Sequence, residues 1–432
     1  MPVSKARPPL PEGPYLVVGL ARSGQAAVRV LAERGEQVIG IDSGAPEAAA
    51  GLRGAGVEIN LDGDGVENVE RVRCVVKSPG VPAEAAAIAA ARERGLPVIG
   101  ELELSWRLLP NRFLAVTGTN GKTTVAELLG HVWRGAGQPV AVAGNVGRPL
   151  ASLVGEIGAD VTVVCEASSF QLEDSDAFAP ECGVLLNVAP DHLDRHGSFD
   201  DYLAAKLKLF AQQTDGDVAV YNGADPGLAG AEIGGAGRKL DFAPRVGEFK
   251  FSLPGPHNAE NAAAAAVAAE AMGIGEQAIA AALESFPGVP HRLERVAEID
   301  GVLYVNDSKA TNIAAAAAAL RSFDGGVRAI LGGSLKGGDF TALAEPVAER
   351  CSACYLIGEA AERIERDLEP AWAGGVAHQR FSGLAEAVRA AAADASPGEV
   401  VLLAPACASF DAYRDFEQRG DHFRALVEEL VP

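Results

Sequence analysis

The stretch FLAVTGTNGKTT, residues 113–124, decides the fold of this chain. Its apolar beginning over 113–116 predicts a buried strand, and the residues after the glycine-rich turn predict a helix. Such a turn directs backbone N–H groups and a helix N-terminus at a phosphate, and the Lys-Thr pair adds a positive charge and a hydroxyl for Mg²⁺. We therefore predict a nucleotide-binding loop made of Gly118, Thr119, Asn120, Gly121, Lys122, Thr123 and Thr124.

The loop is the shorter form GxxGK[ST], because Val116 stands where the longer phosphate-loop pattern has glycine. A glycine-rich turn with a chance lysine is the alternative, but the coincidence of strand, loop, Lys-Thr pair and helix favours nucleotide binding. Glu166 ends the next predicted strand, 161–165, where open α/β sheets place ligand groups, so it could hold the metal. A glutamate at a strand end is otherwise usually just solvated.

On both sides of this loop, short apolar runs alternate with longer Ala- and Leu-rich stretches, the pattern of parallel sheets with helical crossovers. Turn residues over 286–290 predict a linker. We predict an α/β protein of three domains. They are a Rossmann-like N-terminal domain over 1–100, a central P-loop ATPase-like domain with a mostly parallel sheet over 101–289, and a Rossmann-like C-terminal domain over 290–432.

Composition and charge exclude several classes of protein. The 432 residues are 48% hydrophobic and 22% charged, as in folded globular domains, and the net charge of −21 makes nucleic acid an improbable partner. No signal-peptide core follows the N-terminus and no apolar run reaches a membrane span, so we expect a cytoplasmic protein without a membrane partner. Cys351 and Cys354 form a CxxC without a second ligand pair, so we interpret them as core residues.

Four other segments carry polar residues that could have chemical roles. The turn over 19–24 followed by Asp42 is a weak dinucleotide fingerprint, because Ala21 replaces a glycine. The run DHLDRH, 191–196, could equally be a metal site or a polar turn. Lys206 lies in an amphipathic stretch, where a lone lysine is by default exposed, and the loop over 332–339 could dock a carboxylate or merely connect elements.

Taken together, these motifs resemble the Mur ligases of peptidoglycan synthesis, and the resemblance covers nearly the whole chain. The matching blocks are TGTNGKTT (117–124), AGNVG (143–147), EASSFQLE (166–173), NVAPDHLDRHG (187–197), YLAAKLKLF (202–210), LPGPHNAEN (253–261), HR (291–292), NDSKATN (306–312), LGGSLKGGDF (331–340) and PACASFDAYRDFEQRG (405–420). The first blocks are shared with folylpolyglutamate synthetases, whereas NDSKATN and the 405–420 block resemble the glutamate-adding branch.

The resemblance implies a monomeric ATP-dependent amide ligase that activates a carboxylate as an acyl phosphate. The implied substrates are UDP-N-acetylmuramoyl-L-alanine and D-glutamate, and the implied cofactors are ATP and two Mg²⁺. Thr123 and Glu166 resemble ligands of the ATP magnesium. Glu166, His192 and a carbamylated Lys206 resemble the second site, since carbamylation turns that cation into an anion.

Further roles follow from the resemblance position by position. Asn145 resembles a residue that positions substrate or phosphate, and Arg292 would bring a cation to the γ-phosphate from the third domain, which makes domain closure part of catalysis. The other nucleotide-side positions are Asn258, Asn261, His291, Asp307 and Lys309. The implied D-glutamate pocket consists of Thr311, Lys336, Ser409 and Phe416, and the uridine end of Leu20, Ala21, Arg22, Asp42, Ser43 and Gly80.

Three alternatives stay open on the sequence. A sister ligase could add another amino acid, including L-glutamate. A dehydrogenase built on the 19–24 turn would bind NAD, but it leaves the nucleotide loop, Glu166 and the 405–420 block without a role. A scaffold protein that has lost catalysis would bind ATP without consuming it, although Lys122, Glu166, His192 and Lys206 are all retained.

Overall fold

The computed structural model describes residues 5–54, 56–253, 255–335 and 339–431, except for the side chains of 47, 48, 50 and 194. The chain forms two compact units, Met1–Phe286 and Pro287–Pro432. The division falls at the start of the predicted linker over 286–290, where a proline follows the last residues of a helix. Each unit is described separately below.

The first sheet of unit 1 has five strands in the order β3-β2-β1-β4-β5, and every pair is parallel. Its strands are β1 (Tyr15–Val18), β2 (Val38–Asp42), β3 (Val57–Leu61), β4 (Cys74–Lys77) and β5 (Val98–Gly100), with helices α1 (Arg22–Glu33), α2 (Ala86–Glu93) and α3 (Glu101–Leu108). The strand order reverses at β1 and β4, and open α/β sheets bind ligands at the carboxyl edge of such a switch point.

The second sheet of unit 1 has six parallel strands in the order β11-β10-β9-β6-β8-β7. The strands are β6 (Phe113–Thr117), β7 (Val140–Gly144), β8 (Thr162–Glu166), β9 (Cys182–Leu185), β10 (Val218–Tyr221) and β11 (Arg238–Asp241). The helices are α4 (Lys122–Gly135), α5 (Ser169–Glu173), α6 (Leu193–His196), α7 (Phe199–Ala211), α8 (Pro256–Ala271) and α9 (Glu276–Ser285). Strand β6 lies between β8 and β9, so the nucleotide loop leaves the sheet near its centre.

Unit 2 has one six-stranded sheet in the order β12-β13-β17-β14-β15-β16, in which only the β12–β13 pair is antiparallel. The strands are β12 (Glu294–Ile299), β13 (Val302–Asn306), β14 (Val327–Gly332), β15 (Cys351–Ile357), β16 (Ala377–Arg380) and β17 (Val400–Leu403). The helices are α10 (Ile313–Arg321), α11 (Ala344–Arg350), α12 (Ala361–Asp367), α13 (Glu369–Ala373), α14 (Leu384–Asp394) and α15 (Phe416–Glu428).

The α/β class with mostly parallel sheets is confirmed, and each sheet lies within one predicted domain. The boundaries at 100 and 289 stay predictions. The alanine run over 262–266 is fully buried in α8, as expected where a helix packs closely against a sheet. Among the described helices, none combines the length and the apolar character that crossing a membrane requires.

Candidate functional site

The nucleotide loop joins β6 to α4 at the centre of the second sheet. Gly118 has φ +154° and Gly121 has φ +83°, conformations that side chains disfavour. A Cβ at Gly121 would lie 2.4 Å from Asn261 Oδ1, so the loop backbone runs directly against α8. The loop is also held from the other side, because Asn187 accepts from Asn120 N–H at its Oδ1 (2.9 Å) and from Thr119 N–H at its backbone O (2.9 Å).

Lys122 folds back over this loop. Its Nζ donates to the backbone O of Gly118 at 3.0 Å and to that of Thr119 at 2.9 Å. Thr123 and Thr124 follow in the buried first turn of α4, and on α8 Asn261 Nδ2 donates to Asn258 Oδ1 at 3.3 Å. The predicted nucleotide residues of unit 1 therefore lie together around the N-terminus of α4.

Glu166 ends β8 and is 3% exposed. Its Oε1 accepts from Asn145 Nδ2 at 3.0 Å, while its Oε2 is buried without a hydrogen-bond partner in the described part of the chain. Asn145 N–H also donates to Glu166 O, and a Cβ at Gly144 would lie 2.3 Å from that oxygen. A buried carboxylate oxygen without a partner is costly unless a ligand satisfies it, so this position fits a cation.

Lys206 is buried on α7, contrary to the exposed position that the amphipathic stretch alone favours. It is 1% exposed, its Nζ donates to Gly118 O at 2.8 Å, and the Tyr202 ring lies 4.4 Å away. Burial, reinforced by the charge of Lys122 and opposed by Asp191, lowers the pKa of Lys206 to about 7. The amine is therefore partly neutral near pH 7, unlike an ordinary lysine.

His192 lies before α6 with φ +52°, half-exposed, beside Asp191 (3.5 Å) and the Phe170 ring (5.1 Å between centroids). Within the described ranges, no three His, Cys, Asp or Glu side chains come close enough to form a metal cluster. The predicted ligands Glu166 and His192 thus belong to no such group. Two separate features fit the implied metal chemistry: the buried Glu166 Oε2, which has no hydrogen-bond partner among the described residues, and the buried Lys206 amine, whose pKa burial lowers.

A cavity of about 630 Å³ opens at the switch point of the first sheet. Five predicted uridine-end residues line it, together with Asn145, namely Ala21, Arg22, Asp42, Ser43 and Gly80. Leu20 does not, because its side chain is fully buried. Its N–H donates to Asp42 Oδ2 at 2.6 Å, and its backbone O accepts from Gln25 Nε2 at 2.8 Å. Ser78 and Gln171 also line the cavity but were not predicted from the sequence. Gln171 belongs to the block EASSFQLE, and Ser78 directly follows β4.

In unit 2, the HR and NDSK motifs meet at the end of β13. His291 O accepts from Lys309 N–H at 3.0 Å, and the Asp307 carboxylate accepts from Leu293 N–H at 3.1 Å. Burial raises the pKa of Asp307 to about 6, and burial followed by the charge of Arg424 lowers the pKa of His291. Arg292 is exposed.

The predicted D-glutamate residues lie on loops at the same sheet edge. Ser409 is 2% exposed and Thr311 and Phe416 are partly exposed, while Lys336 lies outside the described residues. Arg419, which sequence reasoning did not assign, joins these loops: its guanidinium donates to Ser308 O (2.9 Å), Cys407 O (3.0 Å) and Ala408 O (3.3 Å). The sequence feature that could have identified Arg419 is its position in the 405–420 block.

Comparison with known proteins gives three family matches in chain order. Residues 14–100 match the Mur ligase MurD-like N-terminal domain, 116–238 the Mur ligase middle domain and 291–407 the Mur ligase glutamate ligase domain. The UDP-N-acetylmuramoylalanine--D-glutamate ligase of Pelotomaculum thermopropionicum is 43% identical, covering 96% of this chain and 97% of the relative. The protein of the same name from Acidobacterium capsulatum is 42% identical, covering 95% of each.

Solved structures match the fold. The UDP-N-acetylmuramate-alanine ligase of Thermotoga maritima superposes with a TM-score of 0.60 at 19% identity, covering 97% of this chain and 100% of that one. Escherichia coli FolC bound to ADP superposes with a TM-score of 0.55 at 18% identity, covering 77% of this chain and 93% of that one.

Proposed function

Because the chain belongs to the Mur ligase family, we propose that it joins D-glutamate to UDP-N-acetylmuramoyl-L-alanine at the expense of ATP, in peptidoglycan precursor synthesis. The observation that carries the proposal is the identity of 43% and 42%, over nearly the full length, to relatives named for that reaction. The MurD-like match over 14–100 supports the same branch. A cytoplasmic monomer remains the expectation from the sequence.

The reaction has two bond-forming steps. A carboxylate oxygen of the L-alanyl group attacks the γ-phosphorus of ATP, ADP leaves, and an acyl phosphate forms. The amine of D-glutamate then attacks the acyl carbon, loses a proton, and phosphate departs from the tetrahedral intermediate. Catalysis of this kind depends on positioning and on donors that stabilise the moving negative charge.

Nucleotide binding is assigned to the loop over 118–124. Its N–H groups and the N-terminus of α4 suit phosphate oxygens, and Lys122 would exchange its two carbonyl contacts for the β- and γ-phosphates. Asn258 and Asn261 stand beside the loop on α8. His291, Arg292, Asp307 and Lys309 of unit 2 remain proposed for the nucleotide side by the family resemblance.

Magnesium, when bound, would lower the repulsion between the phosphates and the attacking carboxylate. We assign Thr123 and Glu166 to the ATP magnesium and Glu166, His192 and Lys206 to a second one. The buried Oε2 of Glu166, which has no hydrogen-bond partner among the residues that the structure describes, supports both assignments. Asn145 holds the other carboxylate oxygen and so orients it.

Lys206 would serve as its carbamate. The neutral amine attacks CO₂, an N–C bond forms and one proton is released, which leaves an anion at the end of the side chain. A pKa near 7 supplies the neutral amine that this step needs. A lysine at its ordinary pKa would be almost fully protonated at the same pH.

The cavity of the first sheet is proposed to hold the uridine nucleotide, with Ala21, Arg22, Asp42, Ser43 and Gly80 in its wall. The Leu20 N–H and the Asp42 carboxylate shape the turn below it. D-glutamate is assigned to Thr311, Lys336, Ser409 and Phe416 of unit 2. Arg419 stabilises the loops that carry Ser409 and Thr311 through its hydrogen bonds to Cys407 O and Ser308 O.

The deciding experiment measures ATP-dependent phosphate release with Mg²⁺ and UDP-N-acetylmuramoyl-L-alanine, comparing D-glutamate, L-glutamate and the other Mur amino acids. Release that requires D-glutamate, with a product heavier by one glutamyl residue, supports the proposal. Release with a different amino acid would move the chain to a sister activity. No release with any amino acid would leave a nucleotide-binding protein without catalysis.

A further inference from the structure

An ion pair is buried inside unit 1 between elements of its two sheets. Lys77 ends β4 of the first sheet, and Asp174 follows α5, beside the second sheet. Lys77 Nζ lies 2.5 Å from Asp174 Oδ2, and the two side chains are 0% and 2% exposed. The exposed Arg92 approaches the other carboxylate oxygen at 3.5 Å.

Stability alone does not account for such a pair. Removing two charges from water is expensive, and apolar side chains of similar size often give an equally stable protein. A buried ion pair instead favours the arrangement in which its partners meet, because separating them would leave each charge buried and uncompensated. The role of this ion pair is therefore sought in the residues around it rather than in its contribution to the free energy of folding.

Both members of the pair lie next to segments that line the proposed substrate cavity. Lys77 directly precedes Ser78, and Ser78 and Gly80 line that cavity from the first sheet. On the other side, Asp174 directly follows α5, and α5 carries Gln171, which lines the same cavity. Helix α5 begins three residues after Glu166, so the segment that ends at Asp174 starts at the proposed metal-binding carboxylate.

Two further hydrogen bonds join the first sheet and its cavity loop to segments that follow strands of the second sheet. Gly100 N–H donates to Asp174 O at 2.9 Å, and a Cβ at Gly100 would lie 3.2 Å from Asp174 Cβ. Arg195, from the segment that contains His192, donates to Val81 O at 3.3 Å. The cavity loop over 78–81 is thus attached at both ends to segments that carry proposed catalytic residues.

We infer that the Lys77–Asp174 pair is a positioning element that sets the cavity loop over 78–81 relative to Glu166. This inference rests on the proposed function, in which the nucleotide end of the substrate binds at the cavity and its carboxylate reacts beside Glu166. Binding energy gained at the nucleotide end is useful only if the reacting end is then correctly placed. The pair keeps these two places at a fixed separation.

The test uses the full-length double variant Lys77→Met/Asp174→Asn, which leaves no unpaired buried charge. We expect its affinities for UDP alone and for ATP alone to stay within about twofold of wild type, because each part of the site remains intact. We expect kcat/KM for UDP-N-acetylmuramoyl-L-alanine to fall at least about tenfold, because small misplacements of reacting groups are costly. The control is Arg328→Met/Glu399→Gln, which removes a pair of unit 2 outside the site and should leave all three values unchanged.

Two results would overturn the inference. An unchanged kcat/KM would show that the pair has no positioning role, and a loss of UDP affinity as large as the loss of kcat/KM would show that it only builds the cavity. If the double variant does not fold, Asp174→Glu takes its place, since it keeps the charges and lengthens the link by one methylene, with the same criteria. Wild type is measured in parallel, so an inactive wild type would refute the proposed function instead.

Discussion

Lys206 and Lys122 donate to the same oxygen atom, the backbone O of Gly118, at 2.8 and 3.0 Å. Two ammonium groups sharing one acceptor repel each other, and burial adds to the cost of charging Lys206. Conversion of Lys206 to an anion would replace that repulsion with attraction. The residue is therefore suited to modification in place rather than to a role as a cation.

Replacement of Lys206 tests this directly. We expect Lys206→Ala to lose at least about a hundredfold in ligase activity, because a proposed metal ligand disappears, and we expect bicarbonate or a short carboxylate such as acetate to restore part of it. Initial rates of phosphate release with and without the anion are the measurement. Lys208→Ala is the control on the same helix, since Lys208 also donates to a backbone carbonyl, that of Glu173, and should remain active. Unimpaired turnover by Lys206→Ala would refute the carbamate.

Glu101 gives a pH dependence of stability. Its carboxyl group is fully buried, one oxygen accepts from Ala151 N–H at 2.7 Å, the other has no described partner, and burial raises the pKa to about 7. The pKa of this carboxyl group is near 4.5 in the unfolded chain and about 7 in the folded protein, so between these pH values the native state binds more protons than the unfolded state. The contribution of Glu101 to the free energy of unfolding therefore decreases as pH rises through that window.

We expect Glu101→Gln to remove that dependence. Relative to wild type, the free energy of unfolding of the variant should improve by up to about 3 kcal/mol between pH 4.5 and pH 7.5. Urea unfolding at several pH values measures it. Glu103→Gln, which breaks a buried pair with Arg107, should instead be destabilising at both ends of the range. A difference between Glu101→Gln and wild type that stays constant with pH would contradict the prediction.

Sequence patterns predicted residues of unit 1 that the structure brings together at the nucleotide loop and the cavity, because glycines, a Lys-Thr pair and strand-end acids have few other uses in combination. They could not give the burial of Lys206, since an amphipathic stretch does not tell which of its polar residues turns inward. They also gave no role to Lys77 or Asp174. These two are far apart in sequence, and only the fold brings the residue after α5 beside the end of β4.

At the scale of elements, the turn from β1 to α1 depends on a small residue at its end. A Cβ at Gly24 would lie 1.8 Å from Gly19 O and 2.7 Å from Ser78 Oγ. Ser78 Oγ donates to that same carbonyl at 2.7 Å, so the turn and the cavity loop share one contact point. Any side chain at position 24 would collide with the Gly19 carbonyl group, so the backbone of the turn would have to shift.

We therefore expect Gly24→Ala to lower the free energy of unfolding by roughly 1–3 kcal/mol and to weaken binding of UDP-N-acetylmuramoyl-L-alanine more than binding of ATP. Thermal unfolding and calorimetric titration measure the two effects. Gly216→Ala is the control, because no heavy atom of the described residues, apart from its two chain neighbours, lies within 4 Å of the added Cβ. Equal behaviour of the two variants would show that the turn adapts without cost.

The strands that the sequence predicts are those with continuous apolar runs, such as 113–116 and 161–165, whose bounds agree within one residue with β6 and β8. Those it did not locate include β11 and β16, edge strands with mostly exposed polar residues. An edge strand is fixed by backbone hydrogen bonds to its neighbour rather than by burial, and polar composition carries no signal for them. The antiparallel β12 is also an edge strand. Its Val296, Ala297 and Ile299 pack against the core of unit 2, but Glu298 interrupts them, so the sequence shows no continuous apolar run there.

At the scale of the whole molecule, the chain divides after Phe286 into two units, each with its own sheets and buried clusters. Unit 2 has apolar clusters on both faces of its sheet, one that includes Leu331, Leu356 and Leu402, the other Ile330 and Leu403. A segment with a sheet covered on both faces has the features of an independently folding domain.

We accordingly expect residues 1–286 and 287–432, produced separately, each to unfold in a cooperative thermal transition. The first fragment should bind ATP, because the loop over 118–124 and α8 lie entirely within it, whereas neither fragment alone should release phosphate in response to D-glutamate, because each lacks residues that we assign to the reaction. Calorimetry, ATP titration and the phosphate assay measure these outcomes. A fragment 287–432 that unfolds without cooperativity would mean that its core depends on the rest of the chain, and ligase activity in the first fragment would remove the amino-acid assignments from unit 2.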